Sequence, residues 1–198
     1  LGDVYKRQSL MFTDMNWMKK VAVALVCLLP LGLQAAKVDT LQVKSPSMNK
    51  SIEVVVVSPD VAVTKACPVI YLLHGYGGNA RTWVGIKPDL PKIADEKGIF
   101  FVCPDGKNTW YWDSPLNADV RYETFISNEL VKYVDSHYKT VADRKGRAIT
   151  GLSMGGHGAM WNGLRHSDVF SAAGSTSGGV DIRPFPKNWE MSVQIGEK

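Results

Sequence analysis

A chain of 198 residues with 45% hydrophobic and 21% charged side chains is ordinary for a globular protein and long enough for one buried core. Its net charge of +4 gives no argument for a nucleic-acid partner. Internal repeats and low-complexity tracts are absent from the sequence, which excludes solenoid and fibrous classes.

In chain order, residues 1–14 open without an initiator methionine and read as an upstream or non-native segment. Residues 15–35 have the parts of a secretory signal peptide: Lys19-Lys20, an apolar run over 21–31, and the small-residue stretch Gly32-Leu33-Gln34-Ala35-Ala36, with cleavage expected after Ala35. The apolar run is shorter than the ~20 residues that span a bilayer, so no stable membrane anchor is expected after cleavage, and the location expected is secreted or periplasmic. Cleavage removes Lys6, Arg7, Lys19, Lys20, Asp3 and Asp14, leaving 19 basic against 17 acidic side chains.

Residues 36–198 read as one domain. Strands are expected over 38–44 and 52–58, joined by Ser47-Met48-Asn49-Lys50 as an antiparallel pair at a sheet edge. Val69-Ile70-Tyr71-Leu72-Leu73, bounded by Pro68 and glycines, reads as a buried strand. A short helix over 89–97 begins at a capping Asp89 and ends at Gly98, and a strand over 99–103 is closed by Pro104-Asp105-Gly106. The longest helix, 122–138, presents Tyr122, Phe125, Ile126, Leu130, Tyr133, Val134 and His137 on one face, with Glu123, Glu129, Lys132 and Asp135 placed elsewhere. A strand over 148–150, a helix over 154–165 and a strand over 170–175 follow. This alternation implies an α/β fold, a mainly parallel sheet with helices on both faces. Export permits disulfides. Cys67 starts one predicted strand and Cys103 ends the next, so an offset of several residues at ~3.3 Å each predicts two free, buried thiols.

Gly151-Leu152-Ser153-Met154-Gly155 lies between the strand over 148–150 and the helix that follows. A serine at such a turn is strained, and glycine two residues to either side lets strand and helix pass closely. The turn lifts the hydroxyl above the sheet edge, over a helix N-terminus that favours developing negative charge. Ser153 is the candidate nucleophile. His74-Gly75-Tyr76-Gly77-Gly78 follows the buried strand directly, as an oxyanion loop does, and the backbone amides of Tyr76 and Met154 are the candidate oxyanion donors. His74 is read as a buttress of that loop and not as the general base. In Asn108-Thr109-Trp110-Tyr111-Trp112-Asp113-Ser114, Trp110 and Trp112 are candidates for the walls of a substrate pocket or for loop packing. Asp113 could bond a substrate hydroxyl or stabilise a turn.

Together and in order, these motifs, with Ser45-Pro46-Ser47-Met48, Tyr122-Glu123, Gly156 and Ser177-Gly178-Gly179, resemble the esterase D-like branch of the α/β hydrolases. That branch includes tributyrin-esterase-like enzymes, feruloyl and acetyl-xylan esterases, S-formylglutathione hydrolase and mycolyltransferases. The resemblance runs from about Lys37 to about Gly179. It implies an α/β-hydrolase fold, an acyl-serine mechanism at Ser153 and a triad completed by an acid and then a histidine further along. After Ser153 the sequence offers only His157 and His166, neither placed as that base. The domain is therefore expected to be truncated at Lys198, lacking roughly 60 to 100 residues and inactive as it stands. The expected activity of the whole is hydrolysis of a small-molecule or polysaccharide-linked ester, with no metal or cofactor. The alternatives are an acyltransferase of the same fold and a non-catalytic carbohydrate-binding module.

Overall fold

The computed structural model describes residues 36–184 and 187–196. The signal-peptide and upstream expectations fall on residues 1–35, outside the described residues.

β1 (Lys37–Ser45) and β2 (Lys50–Ser58) form the expected antiparallel hairpin, in register from Lys37↔Ser58 to Ser45↔Lys50. β2 also pairs antiparallel with β4 (Phe100–Pro104), and β4 is parallel to β3 (Val69–Leu73). β5 (Arg147–Leu152) and β6 (Ala172–Thr176) continue the parallel side, giving the order β1-β2-β4-β3-β5-β6. Two expected strands begin later than the sequence suggested. Ile99 N donates to Ala94 O as part of a helix end, and Phe170 N donates to His166 O within a turn.

Among the described residues the helices are α1 (Thr82–Ile86), α2 (Leu90–Lys97), α3 (residues 122–137), α4 (Met154–Arg165) and α5 (Met191–Ile195), with α2, α3 and α4 packed against the sheet. Alternate strand residues feed two cores. Val54, Val56, Tyr71, Leu73, Val102 and Ile149 pack with α3 and α4 side chains, whereas Val55, Val57, Leu72 and Phe101 pack with Leu90 and Ala94 of α2. Cys67 belongs to the first core and Cys103 to the second, so the two free thiols are separated by the sheet itself.

Three sequence expectations need correction. Asp89 precedes α2, but its carboxylate accepts from Lys87 Nζ at 2.7 Å instead of capping the helix. The α3 helix is α over Tyr122–Thr124, π over Phe125–Leu130 and α again over Val131–His137. The wider turn rotates the later face, so Val131 is buried and His137 is exposed. Glu123, placed on the polar side by periodicity, is buried. Its oxygens accept from Arg165 Nε and Trp161 Nε1, and His166 Nε2 lies 2.8 Å away. Burial raises the Glu123 carboxyl, but the hydrogen bonds from Arg165, Trp161 and His166 outweigh it and hold the carboxyl below its ordinary value.

Candidate active site

Ser153 joins β5 to α4 with φ 54° and ψ −116°, a left-handed backbone that costs a non-glycine residue about 1–3 kcal/mol. Surrounding bonds impose it: Ser153 N donates to Thr176 O at 2.9 Å, and His157 N donates to Ser153 O at 3.0 Å. A Cβ on Gly151 would sit 2.3 Å from the Gly155 carbonyl atoms, and one on Gly155 would sit 2.2 Å from Leu73 O. These two glycines let the start of α4 lie against both its own strand and the end of β3. The Ser153 side chain is left exposed.

The loop after β3 is braced from four sides. His74 is buried, and its Nδ1–H donates to Gly75 O at 2.7 Å while Nε2 accepts from Gly106 N at 2.9 Å. Asp105 Oδ1 lies 3.6 Å from the same Nε2, but a nitrogen that accepts an amide proton cannot also donate, so the contact is proximity and not an ion pair. With both ring nitrogens bonded to backbone, His74 supports the loop, as expected. Tyr111 Oη donates to His74 O at 3.1 Å, and Gly77 N donates to Asn108 Oδ1 at 2.8 Å. Gly75 presses the loop onto the elbow, its Cβ direction meeting Leu152 O at 3.3 Å and Ser153 Cβ at 3.5 Å. Tyr76 thus stands at an exposed tip beside Ser153. Among the described residues, neither the Tyr76 nor the Met154 amide donates a hydrogen bond.

Ser153 opens into a cleft of about 180 Å³ whose lining includes Tyr76, Trp110, Ser177, Trp189 and Met191. Trp110 Nε1 donates to Trp189 O at 3.1 Å, which ties the aromatic loop to the segment before α5. The lining does not include Trp112 or Asp113, so neither takes the pocket role offered for it, and the packing and turn-holding alternatives describe them. Trp112 is buried with its ring centroid 5.2 Å from that of His157. Asp113 accepts from Thr124 N at 3.0 Å and Thr124 Oγ1 at 2.6 Å, so its carboxylate holds the first turn of α3. The split arises because Trp110 and Tyr111 both take left-handed backbone, φ 59° and 61°, which turns successive side chains apart.

Tyr111 is the residue that sequence reasoning missed. It is fully buried, its ring fills the space left by Gly106 and Gly158, and its carbonyl accepts from Asn162 Nδ2 at 3.0 Å. One side chain therefore links the oxyanion loop to the nucleophile helix. Its only sequence signal is the pair of glycines, which are far apart in the chain.

The two histidines after Ser153 are engaged elsewhere. His157 Nδ1–H donates to Gly179 O at 2.8 Å among Trp110, Trp112 and Trp161, and burial lowers its pKa against the raising effect of that bond. His166 lies against Glu123. Of the lining residues, Asp181 supplies a carboxylate. Hydrogen bonds from Arg183 hold that carboxylate down to about 2.

The chain is 33% identical over 123 residues to Esterase Rv1288 of Mycobacterium tuberculosis, a match covering 59% of this chain and 26% of that one. It is 32% identical over 158 residues to the diacylglycerol acyltransferase/mycolyltransferase Ag85A of Mycobacterium leprae, covering 73% and 44%. The chain thus spans less than half the length of these curated relatives. A solved ferulic acid esterase superposes with TM-score 0.68 at 30% identity, covering 81% of this chain and 68% of that one. The Esterase family, described as "Putative esterase", matches residues 45–195. The chain therefore belongs to this esterase family and has the α/β-hydrolase fold.

Proposed function

We propose that this chain carries the nucleophile and oxyanion hole of an exported serine carboxylesterase. The observation that carries the reading is the strained, exposed Ser153 with the Tyr76 loop pressed against it. Ser153 Oγ attacks the ester carbonyl carbon as a histidine takes its proton, and the oxyanion accepts hydrogen bonds from the Tyr76 and Met154 amides. Collapse breaks the ester C–O bond, and the histidine returns the proton to the departing alcohol. Water, deprotonated by the same histidine, then releases the acid from the acyl-serine. The histidine and its supporting carboxylate are proposed to come from beyond Lys198, because His157 and His166, the two histidines that follow Ser153, are engaged with Gly179 and Glu123. Trp110 and Trp189 on the cleft suit an aromatic or sugar-linked acyl group.

The test is hydrolysis of 4-nitrophenyl acetate and methyl ferulate by the protein extended past the Lys198 codon. Ser153→Ala should lower kcat/KM by about 10⁴-fold or more without changing the melting temperature. A Ser153→Ala protein that retains its rate refutes the assignment. The relationship to Ag85A favours acyl transfer as a second reading. An acylated sugar formed when a sugar acceptor is added would select it. Polysaccharide binding that survives Ser153→Ala, with no ester cleavage by the extended protein, would select a carbohydrate-binding module. Export is tested by N-terminal sequencing of the secreted or periplasmic form, expected to begin at Ala36.

A further inference from the structure

A second cleft, of about 510 Å³, opens at the same end of the sheet as Ser153. Lys50 and Glu53 of β2, Arg81 after β3, and Asp105 and Lys107 after β4 line it, together with Gln42 of β1. The pairing Val54↔Pro104 puts the start of β2 beside the C-terminal end of β4. The order β2-β4-β3-β5 sets β4 two strand spacings, about 10 Å, from the strand that ends at Ser153. The ridge between the clefts is the oxyanion loop, held by the bond from Gly77 N to Asn108 Oδ1.

The two clefts differ in chemistry. The Ser153 cleft has indole and thioether walls with Ser177 and Asp181 and, among the described residues, no lysine or arginine, whereas the second gathers three cations with amide and carboxylate groups. Lys107 Nζ is matched by Asp105 Oδ2 at 2.5 Å, and Arg81 Nε lies 3.4 Å from Glu53 Oε1. Lys50 Nζ instead donates to the Asp119 carbonyl at 2.7 Å and lies 5.1 Å over the Tyr122 ring. Burial lowers the Lys50 ammonium, Asp119 opposes this, and the nearby Lys107 charge lowers it further. An anionic group entering the cleft beside Lys50 and Lys107, with Arg81 on the same lining, would relieve that repulsion. The remaining amide and carboxylate groups suit sugar hydroxyls, which donate and accept. We propose that this cleft is an accessory subsite holding a carboxylate-bearing sugar of the same saccharide whose ester lies at Ser153. Its place in the reaction rests on the esterase reading, but its ligand chemistry does not.

The experiment is calorimetric titration of the Ser153→Ala chain with a xylo-oligosaccharide carrying one glucuronate and with the neutral oligosaccharide of equal length. The acidic ligand should bind at least about tenfold more tightly. Arg81→Glu, at a side chain 64% exposed, should abolish that preference without shifting the melting temperature. Equal affinity for the two ligands, or a preference unchanged in Arg81→Glu, overturns the proposal. Inorganic phosphate that binds as tightly as the acidic sugar also overturns it, by showing a general anion site. A failure of ester hydrolysis leaves this binding result untouched, so the two readings fail separately.

Discussion

Gly155→Ala is the substitution that most directly tests the packing of the elbow. The added Cβ would meet only backbone: Leu73 O at 2.2 Å, Leu73 C at 2.5 Å and His74 O at 2.6 Å, the nearest about 0.8 Å inside the 3.0 Å limit of real contacts. A flexible side chain could rotate away, but the end of a central strand cannot, so the cost falls at the upper end of overpacking, about 3 kcal/mol. For a domain of this size that lowers the melting temperature by about 6 to 12 °C. The matched control is Gly85→Ala in α1, where nothing lies within 4 Å of the new carbon. It should be neutral or stabilising by up to about 1 kcal/mol. Thermal unfolding of the two variants, followed by circular dichroism, separates steric exclusion from a general effect of losing glycine. A Gly155→Ala protein melting within about 1 °C of the parent would refute the claim that strand and helix need this approach.

Asn108→Ala removes the acceptor of the 2.8 Å bond from Gly77 N and should slow ester hydrolysis about fivefold in the extended protein, about 1 kcal/mol, with little change in melting temperature. Glu123→Gln should destabilise the fold by about 1–2 kcal/mol near neutral pH, because the donors from Arg165 and His166 lose a charged acceptor. The folded-state pKa of Glu123 is below its unfolded value, so its contribution is complete above the unfolded pKa and is lost as pH falls through the folded one. Denaturant titrations from pH 7 to pH 3 should therefore show parent and Glu123→Gln converging in acid, and a constant gap would contradict this. Cys67 and Cys103 are buried, and burial raises both thiols, so alkylation mapped by mass spectrometry should reach them only as the chain unfolds.

The chemistry-bearing turns were legible in the sequence because glycine and proline punctuate them. Pro68 and His74-Gly75 bracket β3, and Gly151 and Gly155 frame Ser153, so strand, loop and elbow follow from local steric rules. What was not legible depends on partners remote in sequence. Glu123 looks solvent-facing on a helical wheel, since the side chains that neutralise it, Trp161, Arg165 and His166, arrive about 40 residues later. The π segment of α3 has no residue signature, so the register of its second half shifted. The choice between pocket and packing roles for Trp112 and Asp113 stayed open because two adjacent aromatics with positive φ turn the loop, and neither is a glycine that would announce it.

The sheet order also governs how the site assembles. The β1–β2 hairpin closes a four-residue turn, whereas the β3–β5 pairing that sets Ser153 against the oxyanion loop joins Val69 to Arg147, 78 positions apart. Chain entropy must be lost across that whole interval before the contact stabilises anything, so the hairpin can nucleate early and the catalytic edge matures late. Contacts formed after the folding barrier chiefly control how fast the native state opens. The elbow glycines and Tyr111 thus act as determinants of kinetic lifetime, and substitutions there should accelerate unfolding more than they slow folding.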